Sequence, residues 1–155
     1  MNFQAGPITL ATLAKTEAVA RRLAPRLMPG DVILLDGPIG AGKSAFARAL
    51  IRARLGNPDE DVPSPTFTIV QTYADATADI WHCDLYRLSH PQEAVELGLD
   101  EAFETAICLI EWPDRISALL PARALSITLA AGEGAHHITV TGQESWRTRL
   151  EGVFV

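Results

Sequence analysis

The chain has 155 residues, 48% of them hydrophobic, with a formal net charge of −6 and a pI near 5.1. That length and apolar content suit a single domain over residues 1–155 with a sizeable core. The acidic balance argues against a protein that grips nucleic acid unaided, because such proteins normally present a basic face.

Residues 3–10 form a candidate edge strand broken at Gly6-Pro7. From residue 12 to about 28, Leu13, Ala20, Leu23 and Leu27 trace one helix face, which Pro29-Gly30 closes. Residues 31–36 are a short apolar, β-branched run and predict a buried strand. No charged start followed by an apolar run marks a signal peptide at Met1. No segment approaches the length of a membrane span. A cytoplasmic protein without membrane contact is therefore expected. Cys83 and Cys108 sit in apolar runs, as buried reduced thiols would. With four scattered histidines they offer too few ligands for a zinc site.

Directly after the buried strand comes Gly37-Pro38-Ile39-Gly40-Ala41-Gly42-Lys43-Ser44, which fits G-x-x-x-x-G-K-[ST] at every constrained position. In that pattern the glycines let the backbone curl so that amides point at phosphate oxygens. The amides in question belong to Gly40, Ala41, Gly42, Lys43 and Ser44, with Ala45 beside them in the first helical turn. Lys43 adds a mobile charge for the outer phosphates and Ser44 a hydroxyl for Mg²⁺. Pro38 removes one amide, early in the loop. Phe46, Ala49, Leu50 and Ala53 then recur at helical spacing, and Gly56 supplies a stop. Strand, glycine loop and helix follow in the order a P-loop requires. Arg48, Arg52 and Arg54 on this helix are expected to form a solvated face.

Residues 57–65 are polar and contain prolines, hence a surface loop. Residues 66–73 alternate and are rich in strand formers; with residues 79–85 they suggest a hairpin around a turn at 74–78. Ser89-His90-Pro91-Gln92 resembles a capping box that opens a helix running to Leu97 and stopping at Gly98. A second short helix is expected over 100–104 and another buried strand over 106–110. Two further strands, 125–130 and 137–141, flank Gly132-Glu133-Gly134, and a short helix near 145–150 closes the chain. The resulting expectation is an α/β fold: a single P-loop NTPase domain whose central sheet is mixed but mostly parallel, with helices on both faces. A ligand in such a sheet sits at the carboxyl ends of the strands.

Two acids stand at strand ends, Asp84 after Ile80-Trp81-His82-Cys83 and Glu111 after Ile107-Cys108-Leu109-Ile110. A carboxylate there holds Mg²⁺, directly or through water, or orients an attacking water. Thr66 follows a flexible loop and is a candidate switch hydroxyl. Asp84, Glu111 and Thr66 are thus the candidate catalytic residues, and Ser44, Glu111 and Asp84 the candidate metal ligands. Trp112 either stacks on a base or packs, and Arg87 and Arg115 either meet phosphate charge or form ordinary salt bridges. No Asn-Lys-x-Asp segment of the guanine-reading kind occurs, which favours ATP.

Gly37 to Ser44 with Ala45-Phe46, then Ser64-Pro65-Thr66-Phe67-Thr68, His82-Cys83-Asp84-Leu85-Tyr86-Arg87-Leu88 and Glu111-Trp112-Pro113 occur in this order. Together they resemble the TsaE (YjeE) family of small bacterial P-loop ATPases. The resemblance implies a role in making threonylcarbamoyladenosine in tRNA, with ATP and Mg²⁺ as cofactors. It implies binding to the TsaD–TsaB heterodimer, whose repeated turnover needs ATP hydrolysis, and contact with tRNA only through that complex. It also implies weak hydrolysis by the chain alone. Carried over, Lys43 and Ser44 serve phosphate and metal, Thr66 lies in the switch-like segment, Asp84 and Glu111 are the functional acids, and Trp112 lies at the nucleotide site. The chain departs from the family where Pro38 replaces a common acid and Ser44 a common threonine. A small-molecule kinase would share the loop but need an arginine-rich lid, and no such segment is evident. A nucleotide-gated binding module with no useful hydrolysis stays open as a further reading, and the two acids weigh only moderately against it.

Overall fold

A computed structural model describes residues 2–132 and 134–154. In chain order the elements are β1 (Asn2–Leu10), α1 (Leu13–Leu23), β2 (Val32–Asp36), α2 (Lys43–Leu55), β3 (Val70–Ala74), β4 (Asp79–Asp84), α3 (Gln92–Glu96), α4 (Leu99–Thr105), β5 (Ile107–Glu111), β6 (Leu125–Gly132), β7 (Ala135–Gln143) and α5 (Trp146–Arg149). Glu133, the middle of the anticipated terminal turn, lies outside the described residues.

All seven strands join one sheet in the order β1-β7-β6-β2-β5-β4-β3. The central four, β6, β2, β5 and β4, are parallel to one another. The β3–β4 hairpin and the β7 and β1 strands add antiparallel pairings at the two sides. The sheet is mixed, as expected, but its parallel character is confined to the middle. Chain distance explains this: parallel neighbours need a crossover, and only the helix-bearing segments supply one.

The alternation of β5 shows where the two layers of core lie. Ile107 and Leu109 pack with Val19 and Leu23 of α1 and Phe46 and Leu50 of α2. Cys108 and Ile110 face the other way, towards Ala94 of α3, Leu99 and Phe103 of α4, and Ile116. A strand buried on both faces is apolar along its length, and β5 is so from Ile107 to Ile110, with Glu111 at its carboxyl end. Both cysteines are free and buried; burial pushes the Cys108 thiol up to about 12 and the Cys83 thiol well above its usual value.

Several boundaries differ from the sequence reading, each for a local reason. The first helix ends at Leu23 rather than near Met28. Pro25 lacks the amide that would continue it, and the chain tightens into a 3-10 turn, Ala24–Arg26. Strand β3 starts at Val70, not at residue 66. The Ile69 amide bonds the Pro65 carbonyl at 2.7 Å, folding residues 65–69 into a turn. The capping partner of Ser89 is Glu93, not Gln92: one Glu93 oxygen accepts from the Ser89 and His90 amides at 3.2 and 3.0 Å. Residues 113–119, which carried no element in the sequence reading, form a 3-10 segment, Pro113–Leu119.

The arginines of α2 are not a solvated face. Arg48 donates to the Val62 carbonyl at 3.3 Å and Arg52 to the Glu60 carbonyl at 2.9 Å. Carbonyls in a loop have no ladder to join, and guanidinium groups satisfy them here. The helix thereby straps down the loop that delivers Ser64 and Thr66.

Candidate functional site

The carboxyl ends of three adjacent parallel strands meet at one edge of the sheet. There β2 ends at Asp36, β5 at Glu111 and β4 at Asp84. Strand register places Glu111 directly beside Leu35 on one side and Asp84 on the other. Two acids far apart in sequence thus become neighbours through pairing alone.

The loop from Gly37 to Gly42 bends through three glycines with positive φ, at 141°, 86° and 102° for Gly37, Gly40 and Gly42. At Gly37 the need is steric as well as torsional: a Cβ would lie 2.2 Å from the Leu129 carbonyl oxygen of β6. The loop is pressed against the sheet at that point. Helix α2 begins at Lys43 with no side-chain cap. Its first amides therefore face the space in front of the loop, an arrangement suited to an anion.

That space is a cavity of about 450 Å³. Gly40, Gly42, Lys43, Ser44, Ala45, Thr66, Asp84, Glu111 and Trp112 all line it. Of the loop and helix-start residues from Gly40 to Ala45, Ala41 stays out of it; its methyl is buried in the core and its amide donates to the Pro38 carbonyl at 3.1 Å. Ile39, Ser64 and Tyr86 line the cavity too and carried no role in the sequence reading. Arg87 and Arg115 do not line it. The Arg87 guanidinium lies 4.5 Å from the Phe67 ring centre and that of Arg115 lies 5.6 Å from the Tyr86 ring centre.

The two acids are held by different partners. Glu111 accepts from the Ser44 hydroxyl at 3.3 Å on Oε1 and from His82 Nε2 at 2.7 Å on Oε2. Asp84 accepts from the Thr66 hydroxyl at 3.3 Å on Oδ2 and from the Tyr86 amide at 3.0 Å on Oδ1. Ser64 adds to the second group, its hydroxyl 2.8 Å from that of Thr66. The glycine loop and helix thus connect to Glu111, and the loop before β3 connects to Asp84. His82 was missed as a site residue, although it stands two positions before Asp84 and the period of a strand puts both on one face.

Lys43 donates to the Gly37 carbonyl, and its ammonium lies 3.5 Å from the centre of the Trp112 ring. Burial lowers its pKa, against the opposing pull of Glu111, Asp36, Asp84 and Asp114. Trp112 also packs at 5.1 Å against Tyr86. Its backbone is left-handed, φ 58°, as is that of Ile69, φ 69°, whose carbonyl accepts from the Asp84 amide at 2.9 Å. Each such conformation costs on the order of 1–3 kcal/mol, and the two flank the two acids.

Among the described residues no three His, Cys, Asp or Glu side chains cluster into a self-sufficient metal site. Ser44, Asp84 and Glu111 nevertheless offer hard oxygen atoms at one cavity wall. That chemistry suits Mg²⁺, which takes few protein ligands and completes its shell with phosphate and water.

A family model described as threonylcarbamoyl adenosine biosynthesis protein TsaE matches residues 10–138. The chain belongs to the TsaE family. The tRNA threonylcarbamoyladenosine biosynthesis protein TsaE of Rickettsia conorii is 41% identical over 123 residues, 79% of this chain and 70% of its own length. The Bacillus subtilis protein of the same name is 40% identical over 129 residues, 82% of this chain and 79% of its own length. The crystal structure of Bacillus subtilis YdiB superposes with a TM-score of 0.78 at 30% identity, covering 99% of this chain and 94% of that one. TsaE-family membership thus rests on sequence over most of the chain and on the fold over nearly all of it.

Proposed function

We propose that the chain is a Mg²⁺-dependent ATPase that binds the TsaD–TsaB pair and drives its turnover in tRNA threonylcarbamoyladenosine modification. The observation that carries this reading is convergence. Lys43, Ser44, Thr66, Asp84 and Glu111 line one cavity in front of an uncapped helix start. The family's place in threonylcarbamoyladenosine biosynthesis supports the biological setting.

Each residue has a task in this reading. Amides at the start of α2 and the Lys43 ammonium bind the polyphosphate. Lys43 leaves the Gly37 carbonyl and the Trp112 ring to do so. Ser44, Asp84 and Glu111 would hold Mg²⁺, which when bound neutralises charge on the phosphate oxygens. Thr66, tethered to Asp84, senses the outer phosphate, and the carboxylates orient water. The exposed Phe67 and Ile39, each 80% accessible, stand beside this machinery. Both are open to a partner protein.

The net charge of −6 agrees with a chain whose partners hold the tRNA. Among the described residues no helix is long and apolar enough to cross a membrane, and the proposed setting is the cytoplasm. The test is ATP turnover measured with and without the TsaD–TsaB pair. Slow hydrolysis by the chain alone, raised severalfold by the pair, is expected. Turnover unchanged by the pair, or label transferred from ATP to a small acceptor, would overturn the reading.

A further inference from the structure

We propose that His82 is a positioning residue that fixes the Glu111 carboxylate for the reaction assigned above, and the proposal rests on that assignment. Strand β4 turns Ile80, His82 and Asp84 to the face covered by α1 and α2. On that face His82 pairs with Leu109 and Asp84 with Glu111. The imidazole, 1% exposed, reaches forward along the strand and places Nε2 2.7 Å from Glu111 Oε2. A carboxylate only accepts, so Nε2 carries the hydrogen.

The other ring nitrogen decides between packing and positioning. Nδ1 is buried and, among the described residues, has no hydrogen-bond partner. An unpaired buried polar atom is destabilising, and an apolar side chain would fill this place in the core without that cost. Burial alone therefore does not account for a histidine here; the contact with Glu111 does. It occupies Oε2 and leaves Oε1 directed to Ser44, at 3.3 Å. Without His82 the carboxylate keeps, among the described residues, only the long hydrogen bonds from Ser44, at 3.3 and 3.5 Å, and is free to rotate away from the cavity.

The experiment compares the wild type with His82→Leu and His82→Gln. Three quantities are read: ATP turnover in the presence of the TsaD–TsaB pair, ATP affinity by calorimetry with and without Mg²⁺, and the melting temperature. In His82→Leu, kcat is expected to fall about ten- to a hundredfold, the range for loss of a residue that orients a metal ligand. KM should stay within about threefold, and the gain in ATP affinity on adding Mg²⁺ should shrink. His82→Gln, whose amide N–H reaches the same oxygen, should recover most of both. A folded His82→Leu variant with wild-type kcat and Mg²⁺ dependence overturns the proposal. So does a Gln variant as impaired as the Leu variant. If His82→Leu does not fold, His82→Asn takes its place, because its shorter amide stops short of Glu111; equal activity of the Asn and Gln variants then overturns the proposal. A wild-type protein that neither binds nor hydrolyses ATP removes the functional assignment and this proposal together, whereas an active wild type with indifferent variants removes this proposal alone.

Discussion

Among the described residues Lys43 has two direct partners, the Gly37 carbonyl and the face of Trp112, and neither is an anion. Burial lowers its pKa, and the four carboxylates around it offset only part of that. A phosphate in the cavity would supply the full counter-charge that these contacts do not. Lys43→Ala should therefore weaken ATP binding about ten- to a hundredfold, the equivalent of one charge-assisted hydrogen bond of about 1.5–3 kcal/mol. A calorimetric titration reads this directly, and retained affinity would contradict the role given to Lys43. Residues bound to a strict pattern, such as Lys43 and Ser44, could be placed from the sequence because the pattern itself encodes the loop's geometry. Asp84 and Glu111 were visible as acids at strand ends. Their different tethers, Thr66 on one and His82 with Ser44 on the other, were not, because they depend on how three strands and a turn are aligned. Tyr86 and Ser64 were hidden for the same reason: nothing local distinguishes a cavity wall from any exposed tyrosine or serine.

Between α2 and the β3–β4 hairpin, Arg54 acts as a clasp. It pairs with Asp75, donates to Thr77 at 2.8 Å, and reaches the Ala24 and Leu27 carbonyls at 3.1 Å each. One side chain thus joins the end of the first helix, the end of the P-loop helix and the hairpin turn. Burial alone would raise the Asp75 carboxyl, but the hydrogen bond from Arg54, with smaller help from the Ala76 amide and Thr77, holds it below the usual carboxylate range. A carboxyl depressed in the folded state adds stability above its unfolded value and loses it as the pH falls through the folded value. Asp75→Asn should cost about 2 kcal/mol at neutral pH. The difference from wild type should begin to shrink near the unfolded aspartate value of about 3.9 and vanish in stronger acid. Urea unfolding of both proteins at stepped pH measures it, and a gap that stayed constant into strong acid would refute the clasp. The clasp also shows a limit of reading elements from periodicity. Helix α2, strands β2 and β5 and the terminal hairpin were legible because burial and period coincide in them. The start of β3 was not, since residues 66–68 have strand-forming side chains yet are bent by the 65–69 turn. Tertiary demand at the site overrides local propensity there.

At the scale of the molecule, the cavity is assembled from five pieces of chain, the first two of them consecutive. The glycine loop, the start of α2, the loop before β3, the end of β4 and the end of β5 each contribute. None of these pieces holds a site alone, and they are brought together only by the parallel order β2-β5-β4. A ligand that needs all five binds the folded chain and not the unfolded one. Mass action then couples occupancy to stability: at a ligand concentration a hundred times Kd the folded state gains about 2.7 kcal/mol. For a chain of this size each kcal/mol moves Tm by about 2–4 °C, so saturating ATP with Mg²⁺ should raise Tm by roughly 5–11 °C. The same concentration applied to Lys43→Ala, bound about ten- to a hundredfold more weakly, lies between about ten times its Kd and its Kd and should move Tm by roughly 1–6 °C, about half the wild-type shift or less. The paired measurement separates the scales: Asp75→Asn should melt lower than wild type yet keep the full ligand shift, because Asp75 lies outside the cavity. If Mg-ATP left the wild-type melting curve unmoved, the five pieces would enclose no nucleotide site, however well the loop fits the pattern.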